Sequence, residues 1–285
     1  AQAEAVEGKW LYELAELERV ESVEISTPFG APSAPIVRGK LGDTTLLFLP
    51  RHGIGHTIAP HQINYRANIC ALKLLGATHL LSVSAVGSMK EQIEPGHFVL
   101  VDQFIDLTKR RISTFFEDGI AAHVGFSDPV CPLMLQALAD AASKTDAKIH
   151  RGGTYLCMEG PQFSTRAESL VFRSWGVSVI GMTNMPEAKL AREAELPFAT
   201  LAMATDYDCW HQEVEAVTVD QVIATLNKNV ANARRVIVAL ASGLPDATKS
   251  LAHRAIENAI MTSNSAIGPE VRERLGWLID RYVDR

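Results

Sequence analysis

Short apolar runs and longer amphipathic stretches alternate along this chain. The clearest apolar run, residues 198–203, follows a proline and has no helical period, so it predicts a strand buried on both faces, as in a parallel sheet. The longest amphipathic stretch, residues 219–241, predicts a helix with one apolar face. The alternation of such elements predicts an α/β fold, a single domain in which a mixed, mostly parallel sheet is flanked by helices.

The remaining elements are predicted from similar runs between turn residues. Further strands are expected at residues 36–39, 45–49, 79–83, 98–104, 154–158 and 177–182, and further helices at 60–75, 132–144, 163–175, 186–193, 247–261 and 269–283. Residues 1–6 are a poor candidate for a strand, and residues 105–130 predict a long loop that is functional or reaches a neighbouring subunit. We expect one domain over residues 1–245 and a helical extension, residues 246–285, packed on it.

Two carboxylates follow the buried strand at 198–203. Residues i and i+2 of an extended chain share a face, so Asp206 and Asp208 are expected to point the same way. Ligands of open α/β sheets bind at the carboxyl ends of strands, which makes this pair a candidate site. The alternative is a solvated turn in which an aspartate caps a helix.

Other predicted strands also end in polar residues. Arg51 offers a forked donor and His52 a second donor, so together they are a candidate anion site. Ser84 and Ala85 open a run of small residues, 84–88, that lets backbone N–H groups approach a ligand. Thr183 adds a hydroxyl at a strand end. Each candidate has an alternative without a ligand. Arg51 and His52 can be a surface arginine beside a packed histidine, residues 84–88 can be a tight turn, and Thr183 can be an ordinary hydroxyl at a strand end.

Composition excludes several classes of protein. The net charge of −6 over 285 residues argues against a nucleic-acid-binding surface. The four cysteines form no CxxC pair, so we expect no metal site and a reducing cytoplasmic environment. No apolar run is long enough to cross a membrane, and the first ten residues do not resemble a signal peptide. Neither a Walker loop nor a GxGxxG motif is present.

Several long segments together resemble one family. They read RHGIGHTIAPHQINYRAN (51–68), SVSAVGSMKEQIEPGHFVLVDQFID (82–106), MEGPQFSTRAES (158–169) and IGMTNMPEAKLAREAELPFATLAMATDYDCW (180–210). They are similar to the methylthioadenosine phosphorylases, which belong to the trimeric purine nucleoside phosphorylases. The resemblance covers roughly residues 25–245 and extends into the tail.

The resemblance implies a purine nucleoside phosphorylase-like fold, a homotrimer and a salvage reaction. In that reaction inorganic phosphate cleaves 5′-methylthioadenosine to adenine and 5-methylthioribose-1-phosphate, without a metal or an organic cofactor. The expected partners are therefore the nucleoside, phosphate and other copies of the chain. By resemblance, the phosphate-binding residues are Arg51, His52, Ser84, Ala85 and Thr183, the catalytic residues are Asp206 and Asp208, and the substrate-binding residues are Phe163, Ser164, Met182, His56, His123, Val219 and Val222.

Roles follow from the resemblance and from the chemistry of each group. A carboxyl group whose pKa is raised in an enclosed pocket is neutral, so Asp206 can donate a hydrogen bond to N7 of the leaving purine. Asp208 is expected to accept a hydrogen bond from the 6-amino group or to orient Asp206, and the pair of acids favours adenine over 6-oxopurines. Phe163 is expected to stack on the base, Met182 to pack under the ribose and His123 to reach in from a neighbouring subunit.

The amino-terminal segment departs from the family pattern. Relatives carry a Gly-Gly-Ser/Thr-Gly-Leu phosphate loop where this chain reads Glu7-Gly8-Lys9-Trp10-Leu11. The close backbone approach that glycines allow is lost there, so we expect a raised KM for phosphate with adenine recognition intact. The altered loop suggests one alternative function, a catalytically impaired nucleoside-binding protein. Among enzymes, the alternatives are a broader purine nucleoside phosphorylase and a hydrolytic nucleosidase.

Overall fold

The computed structural model describes residues 2–6, 16–211 and 219–283, with side chains from residue 16 onward except at 219–224 and 226. Its strands are β1 Gln2–Val6, β2 Glu18–Val23, β3 Ile36–Leu41, β4 Thr44–Phe48, β5 Leu80–Ser88, β6 Phe98–Leu100, β7 Gln103–Asp106, β8 Ile149–Arg151, β9 Thr154–Cys157, β10 Val179–Gly181 and β11 Phe198–Tyr207. Its α-helices are α1 Tyr65–Leu74, α2 Pro132–Ala142, α3 Arg166–Ser174, α4 Asn184–Glu193, α5 Val219–Ala241 and α6 Pro269–Val283.

Strand β5 is the centre of a mixed sheet. It pairs parallel with β1 and β11 and antiparallel with β10. The longest register runs along β11, from Phe198 opposite Leu80 to Tyr207 opposite Ser88. The main path through the sheet is β2-β3-β4-β1-β5-β10-β9-β7, and β6 and β8 join it through β11. The predicted α/β fold, with a mostly parallel sheet between helices, is confirmed.

Two apolar layers pack on the two faces of this sheet. Along β5, Leu80 and Val86 face a cluster that includes α1 and α4, whereas Leu81 and Val83 face a cluster that includes α2 and α5. Successive side chains of a strand point to opposite faces, so a strand between two helical layers has to be apolar at almost every position. Helix α6 packs in the first of these clusters.

The prediction for residues 1–6 is wrong. Residues 2–6 form β1, which lies between β4 and β5, with Ala5 opposite both Phe48 and Leu81. Alanine and glutamate disfavour strands, but a position between two paired neighbours satisfies the backbone hydrogen bonds on both sides. Tertiary pairing therefore outweighs the weak local preference.

Three further boundaries differ from the prediction. Residues 84–88, expected to leave the strand, continue β5 because β11 pairs with them up to Ser88. The strand predicted at 98–104 is divided into β6 and β7, which pair with different strands, β11 and β9. The helix predicted at 247–261 is replaced by short 3-10 turns at Ala247–Lys249 and Leu251–Arg254. Within the described residues, no helix is both long enough and apolar enough to cross a membrane.

Candidate active site

A cavity of about 640 Å³ opens at the carboxyl ends of β5 and β11. Its wall combines residues from these two strands, from the end of β10 and from the segments that follow β4 and β9. The lining residues are His52, His56, Pro60, Ala85, Val86, Gly87, Met158, Phe163, Ser164, Arg166, Ile180, Gly181, Met182, Thr183, Thr205, Asp206, Tyr207, Asp208, Cys209 and His211. Polar groups converge on a largely apolar pocket, which is the usual form of a small-molecule site.

Asp206 and Asp208 line the same cavity, as their spacing predicts. The register of β11 against β5 shifts between Ala204 and Asp206, so one extra residue forms a bulge just before the acids. Bulges of this kind re-aim side chains next to active sites. Gly87 on β5 lies beside the pair. A methyl group there would be close to Ile180, at 3.2 Å from Cγ2, and in ordinary contact with Asp208 Cβ at 3.5 Å and Asp206 Oδ2 at 3.7 Å.

The two acids have different surroundings. Burial raises the pKa of Asp206 above its ordinary value, and this outweighs the hydrogen bond of 2.6 Å that Oδ1 accepts from the Thr205 hydroxyl. The negative charge of Asp208 acts in the same direction as burial. Asp206 is therefore the acid of the pair that is poised to hold a proton.

Asp208 is instead held by hydroxyl donors. Its Oδ2 accepts from Ser169 at 2.5 Å and from Ser164 at 3.3 Å. Ser169 is fully buried in the first turns of α3, whose start is fixed by a capping box between Thr165 and Glu168. Sequence reasoning missed the role of Ser169, because only the packing of α3 against the end of β11 brings the two residues together.

Phe163 and Met182 both line the cavity. The Phe163 side chain is 84% exposed, so its ring has a face available to a ligand. Met182 directly follows β10, and its carbonyl oxygen accepts a hydrogen bond of 2.6 Å from Arg111, a residue of the long loop. Arg111 also donates to the carbonyl oxygen of Glu159 at 2.7 Å and thereby ties the loop to two segments of the cavity wall. The sequence analysis assigned Arg111 no role.

Thr183 and Ala85 represent the predicted anion site on the cavity wall, whereas Ser84 lies one layer behind it. Ser84 is 1% exposed, and its hydroxyl lies 3.2 Å from that of Thr183. The assignment of Ser84 to phosphate binding stays a prediction, and its hydroxyl would reach the cavity through Thr183. Ser84 continues β5, where alternate side chains point into the sheet layers.

Arg51 lies behind the cavity wall as well. Its side chain is fully buried, donates to the Val83 carbonyl oxygen at 2.7 Å and pairs with Glu187 at 3.4 Å. The alternative of a surface arginine is therefore wrong. A buried guanidinium requires hydrogen-bonded acceptors and a counter-charge, which Val83 and Glu187 supply.

His52 was expected to be a second donor, and its hydrogen bonding differs from that expectation. Its Nδ1–H donates to the Ile58 carbonyl oxygen at 2.8 Å. Burial, together with the charge of Arg51, lowers its pKa to about 4, so the ring is neutral and Nε2 is an acceptor. The ring stacks on His56, with 4.2 Å between centroids.

His123 is not among the described residues that line this cavity. His123 is exposed, and its backbone N–H pairs with Ala259 on the tail. The side chains of Val219 and Val222, and the segment from Glu7 to Leu11, lie outside the described residues. Among the residues that are described, no group of three or more histidine, cysteine or acidic side chains is arranged to bind a metal.

Comparison with known proteins gives a consistent result. A model of the phosphorylase superfamily matches residues 8–242. The S-methyl-5′-thioadenosine phosphorylase of Geobacter sulfurreducens is 52% identical, with 97% of each chain covered. That of Thermosynechococcus vestitus is 51% identical, again with 97% of each chain covered.

Solved structures give the same result. A methylthioadenosine phosphorylase from an Antarctic soil metagenomic library superposes with a TM-score of 0.91 at 48% identity, covering 98% of this chain and 99% of that one. The methylthioadenosine phosphorylase of Schistosoma mansoni, solved with adenine, gives a TM-score of 0.82 at 36% identity, covering 87% of this chain and 94% of that one.

Proposed function

Because this chain belongs to the phosphorylase superfamily, we propose that it cleaves 5′-methylthioadenosine by phosphorolysis. The products are adenine and 5-methylthioribose-1-phosphate. Relatives about half identical over nearly their whole length carry the name of this activity. The observation that carries the proposal within the structure is the pair Asp206 and Asp208, one poised to hold a proton and one held by hydroxyl donors, at the same cavity wall.

The acid pair suits the leaving group. Protonated Asp206 donates to N7, so the departing purine takes up less negative charge in the oxocarbenium-like transition state. Asp208 offers an acceptor oxygen to the 6-amino group of adenine, and a 6-oxopurine would place an acceptor against it. Ser169 and Ser164 orient that carboxylate. Phe163 stacks on the base and Met182 packs under the ribose.

Phosphate occupies the other end of the cavity. Thr183 and Ala85 offer a hydroxyl and a backbone group at the wall, and Arg51 supplies positive charge from the layer behind. The neutral ring of His52 accepts, at Nε2, a hydrogen bond from the hydroxyl group of monohydrogen phosphate. Donors and charges fixed before the substrate arrives stabilise the transition state without reorganisation.

The 5′ side and the assembly complete the proposal. Val219 and Val222 contact the methylthio group, His56 lies near the sugar and His123 enters the site of a neighbouring subunit of a homotrimer. Exposure of His123 on the long loop supports this assignment. Sedimentation at assay concentration tests it, since full activity from a monomer contradicts a shared site.

No metal or organic cofactor takes part in this proposal, because phosphate and the acid pair supply the chemistry. The four cysteines are all free thiols, which supports a reducing compartment, the cytoplasm. There the reaction would serve methionine and purine salvage.

Turnover of 5′-methylthioadenosine with and without inorganic phosphate tests the function. We expect adenine release to depend on phosphate and a sugar phosphate to accumulate in equal amount. Release of adenine with free methylthioribose would instead identify a hydrolase, and binding without turnover would identify a nucleoside-binding protein. Faster cleavage of inosine than of 5′-methylthioadenosine would identify a broader purine nucleoside phosphorylase.

A further inference from the structure

We call the part of the cavity wall at Thr183 and Ala85 the anion end. A buried tyrosine that the proposed reaction does not use lies behind it. Tyr155, on β9, is 0% exposed, and its hydroxyl lies 3.1 Å from that of Ser84. The Ser84 hydroxyl in turn lies 3.2 Å from that of Thr183, which reaches the cavity wall. The three hydroxyls form a chain that begins in the core and ends at the cavity.

The position of Tyr155 is built into the wall. Gly181, which lines the cavity, stands beside the Tyr155 ring, and a methyl group at that position would overlap the phenol oxygen. The residue at 181 must therefore lack a side chain for Tyr155 to reach Ser84. Because Tyr155 belongs to β9 and Gly181 to β10, the parallel pairing of these strands fixes the contact.

The protons of these three hydroxyl groups can be counted. Each hydroxyl has one proton, so two hydrogen bonds between three hydroxyls use two protons and leave one. Burial raises the pKa of Tyr155, which therefore keeps its proton and has to donate it. A phenol proton without an acceptor in the apolar core is strongly disfavoured, so the unused proton belongs to Ser84 or Thr183.

The distances then determine which hydroxyl group donates to which. When Tyr155 donates a hydrogen bond to Ser84, Ser84 in turn donates to Thr183. The alternative acceptor of the Ser84 proton, the Ala85 carbonyl oxygen, lies farther away at 3.5 Å. The Thr183 proton is left for the cavity. Thr183 also influences the pKa of Tyr155 as a hydrogen-bond partner, but an anion attracts its proton more strongly than a neutral phenol does.

We propose that Tyr155 is a positioning residue for phosphate: it orients the Ser84–Thr183 pair so that Thr183 presents a donor, not a lone pair, to the co-substrate. The inference rests on the proposed phosphorolysis and adds a residue to it. Without Tyr155, Thr183 can turn its proton back to Ser84 and face the anion with a lone pair. Tyr155 acts through other side chains and does not itself touch the substrate.

Replacement of Tyr155 by phenylalanine tests this role, because the ring still fills the core. For Tyr155→Phe we expect the KM for phosphate to rise roughly tenfold, the effect of weakening one hydrogen bond to a charged group. The KM for 5′-methylthioadenosine and kcat at saturating phosphate should change less than about twofold, since the chain does not reach the base. Tyr282→Phe is the control, because it removes from α6 a hydroxyl group that donates a hydrogen bond to Glu195.

A double variant tests the route. If Tyr155 acts through Ser84, then Ser84→Ala combined with Tyr155→Phe raises the phosphate KM no more than Ser84→Ala alone. The inference would be overturned if the increases in phosphate KM of the two single variants multiplied in the double variant. An unchanged phosphate KM in Tyr155→Phe would overturn it as well. An equal rise in both KM values would indicate general damage and would also overturn it.

Direct binding separates this inference from the proposed function. Calorimetric titration of the wild type and Tyr155→Phe with inorganic phosphate requires no turnover. Weaker phosphate binding by the variant supports the role of Tyr155 even if 5′-methylthioadenosine is not cleaved. Equal binding by both proteins contradicts it, whatever the activity.

Discussion

The two ends of the cavity are built in different ways. At the base end, the recognition groups reach the cavity directly: Asp206 and Asp208 line it, and Phe163 is 84% exposed. At the anion end, Arg51 and Ser84 lie one layer deeper, each no more than 1% exposed. In the proposed function, the base end recognises its ligand by contact. The anion end is proposed to combine contact at Thr183 with charge and orientation supplied from the core.

This difference has a physical reason. A planar base offers donors, acceptors and an apolar face, which side chains can match one by one. A small dianion needs donors already oriented and positive charge that water does not screen. Buried polar networks supply both, provided that each member is satisfied. Substitutions at the two ends should therefore separate the KM for the nucleoside from the KM for phosphate.

The largest effect is expected at Asp206. Asp206→Ala removes the proposed proton donor to N7, so kcat should fall on the order of 10²-fold or more, the effect of a lost general acid. Steady-state assays with 5′-methylthioadenosine measure it, and Asp140→Ala, an exposed acid on α2, is the control. Wild-type turnover in Asp206→Ala would falsify the catalytic assignment.

The same residue tests selectivity. Asp206→Asn keeps the size of the side chain and places a permanent amide donor opposite the base. We expect preference to shift toward 6-oxopurine nucleosides, because the amide donates to O6 or N7. The ratio of kcat/KM for inosine and 5′-methylthioadenosine measures the shift. An unchanged ratio would mean that Asp206 does not distinguish the two bases.

The amino-terminal segment is expected to have an intermediate effect, at the anion end. Strand β1 ends at Val6, opposite Ser82, at the edge where β5 delivers Ser84. Replacement of residues 7–10 by Gly-Gly-Ser-Gly should lower the KM for phosphate by roughly 10- to 150-fold, the range for one added hydrogen bond to a charged group. Phosphate titrations of both proteins measure it. An equal KM in the two would mean that this chain completes its phosphate site in another way.

A smaller effect is expected at Ser169, at the base end. Ser169→Ala removes the hydrogen bond of 2.5 Å to Asp208, so the KM for the nucleoside should rise about tenfold. The phosphate KM should not change, in contrast to Tyr155→Phe. Ser174→Ala, at an exposed position of the same helix, is the matched control. A rise in both KM values would contradict the separation of the two ends.

The smallest effect on activity is expected at Glu193, outside both ends. Burial raises its pKa from 4.5 to about 7, although its carboxylate accepts hydrogen bonds from Thr114 and the Phe115 N–H. The folded state thus binds more protons than the unfolded state between these values. The free energy of unfolding should accordingly fall, by at most about 3 kcal/mol, as the pH rises through this window.

Glu193→Gln should remove this part of the pH dependence and leave both KM values unchanged. Denaturant unfolding between pH 4.5 and 7 measures it, with Glu257→Gln, an exposed position, as the control. An equally steep decline in Glu193→Gln would show that other groups cause it.

The sequence predicted most elements because their signals are local. The apolar run of β11, the amphipathic period of α5 and the capping box of Thr165 and Glu168 are each read within a few residues. Strand β1 was missed because pairing with two neighbours, and not the preference of its own residues, makes it a strand. Residues 247–261 were predicted as a helix, and short 3-10 turns formed instead.

Residue types fix donors, acceptors and charge, so the kinds of group available at this site follow from the amino-acid sequence. The placement of Asp206 and Asp208 on one wall also follows from it, because the two residues are close neighbours at the end of β11. Which groups reach the cavity and which lie behind it depends on contacts between distant segments. Ser84 and Tyr155 are 71 residues apart and Ser169 and Asp208 are 39 apart, so contacts between separate elements set their burial and the direction of their protons.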